Sequence, residues 1–157
     1  MLFCRDFCGI LVRNIGGNIE KWNLSERFLN VYGTKCIVVS DEELIKYSKK
    51  GKIVVVKWLW SKGADVTARD NYAVRWASRE GYLEVVKFLV SKGADITTWD
   101  NYAVRLASRK GHLNVVKFLV SKDADITADN NCAVRWASRE GHLDVVEFLV
   151  SKGAKLE

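Results

Sequence analysis

Residues 73–96 read Ala73-Val74-Arg75-Trp76-Ala77-Ser78-Arg79-Glu80-Gly81-Tyr82-Leu83-Glu84-Val85-Val86-Lys87-Phe88-Leu89-Val90-Ser91-Lys92-Gly93-Ala94-Asp95-Ile96. Nearly the same text returns at 103–126 and again from Ala133. Residues 71–100 and 101–130 agree at 22 of 30 positions, and Gly51, Gly81, Gly111 and Gly141 stand 30 residues apart. A period of this length marks a solenoid or array, because each unit must borrow its neighbours to bury its apolar face. A more worn unit runs from Asp41-Glu42-Glu43-Leu44-Ile45 to Lys62-Gly63-Ala64-Asp65. The units therefore fall at about 41–70, 71–100, 101–130 and 131–157. Residues 1–40 do not follow the repeat. They read as a degenerate cap or worn repeat, with a helix expected over 19–32 that packs Trp22, Phe28 and Leu29 on the first unit.

Each unit reads as two short helices. Asn71 precedes Tyr72-Ala73-Val74-Arg75-Trp76-Ala77-Ser78-Arg79 and is a good N-cap type. Gly81 suits the left-handed residue that commonly ends a helix. The second helix runs from Leu83 to Lys92 and ends at Gly93, and 94–100 has no helical period and reads as a turn. On this second helix only Glu84, Lys87 and Ser91 are polar, on one narrow stripe. The rest must be covered from several sides. One pair of helices cannot offset the ordering of its backbone, at about 1–2 kcal/mol per residue, whereas stacked pairs bury further area at each interface. In the third unit Asp123 replaces the glycine at the end of the second helix. If that position is left-handed, the replacement costs about 1 kcal/mol.

Composition narrows the function classes. Apolar residues make up 48% of the 157-residue chain and charged residues 28%, which fits a core-forming chain rather than a disordered one. Proline is absent, which argues against Pro-rich linkers. The net charge is +6, from 25 basic and 19 acidic residues. It is spread without a block of one sign and gives little support for nucleic acid as the partner. The apolar runs are far shorter than the roughly 20 residues a membrane-crossing helix needs. Charges at Arg5 and Asp6 break the start of the chain where a secretion signal would be apolar. An intracellular, unsecreted protein is expected, with its four cysteines as free thiols.

The paired Ala77-Ser78, Gly81-Tyr82, Val85-Val86, Leu89-Val90 and Gly93-Ala94-Asp95, with Gly111-His112 and Gly141-His142 in the following units, resemble the ankyrin repeat. The resemblance covers about 41–157 and implies an all-α, ankyrin-type solenoid of stacked helix-turn-helix units. It further implies a non-enzymatic module for protein–protein interaction. Two departures stand out. The family's Thr-Pro-Leu-His becomes Tyr72-Ala73-Val74-Arg75 and its equivalents, and the unit is 30 residues against the family's 33. The missing residues fall between Ile96 and Tyr102, so the connecting hairpins should be stubs. The short unit is similar to the ankyrin arrays of giant amoebal DNA viruses, which would imply a host cytoplasm.

The candidate partner-binding residues follow from that frame. Arg75 with Arg79, Arg105 with Arg109, and Arg135 with Arg139 lie at i and i+4 on one face of each first helix. They form either a ladder for an acidic partner or internal pairs that replace the family's structural histidine. Arg69, Trp99 and Asp129 share one variable loop position, and Glu80, Lys110 and Glu140 another. Trp99 is the best single candidate, since tryptophan is enriched among interface hot spots. His112 and His142 have neither the convergent ligands of a metal site nor the partners of a general base. Cys4 and Cys8 lack a second pair of zinc ligands. No catalytic, metal or cofactor residues are expected, and no cofactor. Electrostatic nucleic-acid binding through the arginine columns is the alternative, or a truncated duplicated array without a dedicated partner. The last unit keeps Val145-Val146-Glu147-Phe148-Leu149-Val150 without a polar outer face, so apolar surface and self-association are expected at that end.

Overall fold

A computed structural model describes residues 39–156. The helix expected over 19–32, and the cap assigned to 1–40 except for Val39 and Ser40, lie outside the described residues, as do Cys4 and Cys8. Eight helices follow in order among the described residues: α1 (Asp41–Ser48), α2 (Ile53–Ser61), α3 (Ala68–Arg79), α4 (Leu83–Ser91), α5 (Thr98–Arg109), α6 (Leu113–Val120), α7 (Ala128–Arg139) and α8 (Leu143–Ser151). Odd helices pack on odd helices and even on even, and each odd helix also packs on the even helix that follows it. The result is two parallel rows, one of first helices and one of second helices.

The side chains explain the rows. Ala73, Ala77, Ala103, Ala107, Ala133 and Ala137 are buried on the odd helices. Their small size lets neighbouring odd helices approach closely. In the even row Leu59, Leu89, Leu119 and Leu149 are fully buried, one per unit, flanked by Val55-Val56, Val85-Val86 and Val115-Val116. Each such leucine contributes about 1.5–3 kcal/mol by leaving water. Coverage of the even helices is less complete than their composition implies. Phe88 is only half-buried. It lies edge-on to Trp60 at 5.8 Å, with the Lys57 and Lys92 ammonium groups at 5.9 and 5.8 Å. Long lysine stems thus complete the cover that a further helix would give.

The entrances to the helices differ from expectation. Helix α1 starts with a side-chain cap: Ser40 is extended and its hydroxyl accepts from the Glu43 N–H at 3.2 Å, while the Glu43 carboxylate accepts from Lys46 at 2.8 Å. Asn71 is not a side-chain N-cap. Residues Arg69, Asp70 and Asn71 form one left-handed turn (φ 54°, 55° and 61°), and the right-handed part of α3 begins after it. Trp99–Asn101 and Asp129–Asn131 do the same. This turn is what the short unit puts in place of a projecting hairpin. The Asn71 side-chain oxygen accepts instead from the Asp95 N–H, in the turn that follows its own helix pair, at 2.8 Å. Asn101 and Asn131 accept from the N–H groups of Asp125 and Lys155 at 2.9 and 3.0 Å, and Asp41 accepts from Asp65 at 2.7 Å. One side chain per unit therefore ties each first helix to the following turn.

Gly81 and Gly111 are required twice over. Their φ angles are +80° and +73°, and a Cβ on either would come within 2.6 or 2.5 Å of the next unit's His112 or His142 Nδ1. The histidine ring sits where a side chain would go. In the last unit Leu143 and Val150 are exposed, where Leu83, Leu113, Val90 and Val120 are half-buried. That is the apolar surface expected at this end of the array.

Asp123 is left-handed at φ 62°, where Gly63, Gly93 and Gly153 sit at 98°, 93° and 100°. Around Gly93 and Gly153 a Cβ would meet nothing within 4 Å, so the difference between the residues is conformational. Asp123→Gly should stabilise the array by about 1 kcal/mol, read as a higher urea midpoint. A midpoint unchanged or lowered would show that the left-handed state carries no strain here.

Candidate functional site

The face formed by the odd helices and the turns before them holds the residues singled out in the sequence. The loop position at 69, 99 and 129 reaches back to the first helix of the preceding unit in every case. Arg69 pairs with Glu42 at 2.7 Å. The Trp99 ring lies over the Arg75 guanidinium, 4.4 Å from its centroid. Asp129 accepts a hydrogen bond from Arg105. The variation at this position is thus matched, unit by unit, to the neighbour it touches: an acid meets an arginine, an arginine meets an aromatic face, and an arginine meets an acid.

The arginine columns divide into an inner and an outer member. Arg75 is buried, donates to the Arg69 carbonyl at 3.0 Å, and lies against Tyr72 as well as Trp99. Arg105 is also buried. It donates toward the Trp99 and Asp100 carbonyls at 3.5 Å and lies near Tyr102 and Trp136. Both hold the left-handed turn of their own unit through its carbonyl oxygens. Both guanidinium groups are held within the array by backbone carbonyls and neighbouring rings, and Arg105 by Asp129 as well. Arg135, in the last described unit, makes a longer bond of 3.4 Å to the Asp129 carbonyl and is exposed.

The outer members are accessible. Arg79 is ion-paired with Glu80 at 2.6 Å and rests on the Trp76 ring. Arg109 reaches Glu140 of the next unit at 3.4 Å and lies 5.4 Å from the Trp136 ring. Arg139 and Lys110 are exposed. Ion pairs this exposed contribute little to stability, about 0–1 kcal/mol each, so the residues remain free to exchange partners. Trp99 is 61% exposed, with one ring face backed by Arg75. Its ring lies 6.3 Å from that of Tyr102, which in turn lies 6.4 Å from Trp136. The exposed Trp99 and the half-buried Tyr102 and Trp136 therefore alternate with cations along the row.

Three carboxylates, Asp65, Asp95 and Asp125, act on the turns rather than on the face. Asp65 accepts from both the backbone N–H and the hydroxyl of Thr67 at 2.8 Å, and Asp125 accepts from Thr127 in the same way at 2.8 and 2.7 Å. These bonds hold both carboxyls below the ordinary carboxylate range, led by the backbone N–H for Asp65 and by the hydroxyl for Asp125. On helix α1, a hydrogen bond to Glu43 raises the Lys46 ammonium above its ordinary value.

The sequence analysis missed Lys46, Lys49, Tyr72 and Tyr102 on this face. Its signal was present: aligning 41–50 with 71–80 puts lysine where the later units carry tryptophan or leucine. It also missed that Asn71, Asn101 and Asn131 tie the start of each helix pair to the turn that follows it, since a helix start and a side-chain tie use the same residue type. Among the described residues no group of three His, Cys, Asp or Glu is placed to hold a metal, and no helix is long and apolar enough to cross a membrane.

Helix pairs repeated at a fixed step, stacked in two rows and joined through their turns, define an α-solenoid of short repeats. Residues 72–101 match the description "Ankyrin repeat" and residues 97–157 match "Ankyrin repeats (3 copies)". The two matches together span more than half of the chain, and the protein belongs to the ankyrin repeat family. No curated protein matches the chain.

Two measurements check this geometry. Arg105→Met removes a buried, hydrogen-bonded charge and should cost about 1–3 kcal/mol. Arg135→Met, at the exposed equivalent, should stay within about 0.5 kcal/mol. Equal costs would contradict the reading that burial of the inner arginine sets what it contributes. For Asp65 and Asp125 the folded pKa lies below the unfolded one. Their contribution is therefore complete above about pH 4 and is lost as pH falls through the folded value. An Asp65→Asn, Asp125→Asn variant should lose less of its urea midpoint than the parent between about pH 6 and about pH 3. A parallel loss would show that these turns do not sense the charge.

Proposed function

We propose that this protein is a non-enzymatic scaffold that recognises another protein through the exposed positions of its odd helices and turns: Arg69, Arg79, Glu80, Trp99, Arg109, Lys110, Asp129, Arg135 and Arg139. The observation that carries the reading is Trp99. It is a large apolar side chain left mostly in water, rigidly backed by a buried arginine and flanked by arginines whose ion pairs are weak enough to be exchanged. Such anchored aromatics dominate the energy of protein interfaces. Arg75 and Arg105 act beneath the surface, as the support of the turns that present it. Nucleic-acid binding through the arginine columns is the weaker reading, because burial withdraws two of the six guanidinium groups on which it depends. The 30-residue unit and its Asn-Tyr-Ala-Val-Arg text support the likeness to viral arrays, which would place the partner in a host cytoplasm.

The test is affinity capture from the source cell with the parent chain and a Trp99→Ala, Arg109→Glu variant. Both residues are exposed, so the fold should be kept, as far-UV circular dichroism can verify. Recovery of the partner should fall by at least about tenfold, the effect of losing roughly 1.4 kcal/mol. Unchanged recovery would remove this face from consideration.

A further inference from the structure

The first described unit departs from the repeat at the positions that line its junction with the second. Lys46 stands where Trp76, Leu106 and Trp136 stand in later units, and Lys50 stands where Glu80 and Glu140 stand. Ile45 replaces the buried arginine, and Arg69 takes the place of Trp99. In later units the side chain at the Lys46 position packs toward the preceding odd helix, Trp76 against Lys49 at this junction and Trp136 against Tyr102 and Arg105. The Lys46 ammonium instead bonds Glu43 at 2.8 Å. A groove of about 440 Å³ lies at this junction, walled by Tyr72, Glu42 and four cations, Lys46, Lys49, Lys50 and Arg69.

The charges in the groove are only partly balanced. Arg69 is taken by Glu42 and Lys46 by Glu43. No carboxylate pairs with Lys49 or Lys50 among the described residues. Lys49 is held over two rings, 4.7 Å from the Tyr72 centroid and 4.4 Å from the Trp76 centroid. A cation placed in this way loses little further freedom when it meets an anion. Lys50 is exposed beside it.

We propose that this groove receives an acidic peptide segment of the partner protein, with a glutamate or aspartate carboxylate between Lys49 and Lys50 and a neighbouring apolar side chain on Tyr72. The proposal rests on the reading of the odd-helix face as the protein-binding face and names the chemistry recognised at one end of it. A short acidic segment fits better than a nucleic-acid strand. Four cations gather at this junction, whereas along the rest of the row the cations alternate with Asp70, Glu80, Asp100 and Glu140, which would repeatedly face a phosphate backbone.

The experiment uses the full chain and a fluorescein-labelled pentapeptide of four glutamates around a central phenylalanine, read by fluorescence anisotropy at about 50 mM salt. The parent should bind. Lys49→Glu, Lys50→Glu should weaken binding by at least about tenfold, and Lys46→Trp, Lys50→Glu, which writes the later units' residues into the groove, should do the same. Lys122→Glu, exposed in the turn after α6 and outside the binding face, should stay within about twofold. No binding by the parent would overturn the proposal, as would an equal loss in Lys122→Glu. Tighter binding of a single-stranded oligonucleotide than of the peptide would overturn it in favour of a nucleic-acid site. If the Trp99→Ala, Arg109→Glu variant loses the cellular partner while the parent ignores the peptide, the binding face stands and the groove alone is refuted.

Discussion

No unit of this chain has an interior of its own. Leu59, Leu89, Leu119 and Leu149 reach full burial only because each helix pair is laid against another. That mutual cover fixes the 30-residue step, the two rows and the need for small residues between odd helices. It also sets what the surface can do. Once the even row is committed to burial, the odd row and its turns are the surfaces left to vary.

The turns show how the short unit is made to work. A left-handed turn is an expensive conformation for arginine and tryptophan. It persists because several bonds converge on it. The inner arginine binds its carbonyl oxygens, the asparagine that closes it bonds the turn after its own helix pair, and the loop residue packs on the preceding odd helix. Arg69, Trp99 and Asp129 are each suited to a different neighbour, so their variety serves the stack first. Partner recognition is then drawn from what remains exposed after that service, which is why Trp99 and Arg109 matter and Arg75 does not.

Much of this was legible in the sequence and some of it was not. The period, the helix pairs and the left-handed glycines follow from spacing and residue type alone, and the absence of a projecting hairpin from the resemblance to the ankyrin repeat. The i, i+4 arginines could be placed on one face, but not sorted. Burial of Arg75 depends on a ring from the next unit, and no pattern within one helix reports that. Asn71 was misassigned because cap and tie look alike until the partner N–H is located 24 residues further on. The groove at Lys49 could have been found by asking where the repeat is broken rather than where it is kept.

The measurement closest to the central claim is native-state hydrogen exchange on Leu119→Ala. If the units complete one another, this cavity should lower protection in the amides of α4 and α8 as well as those of α6, since opening spreads through shared interfaces. Loss of protection confined to 101–130, with α4 and α8 unchanged, would show that each helix pair stands by itself and would contradict the account.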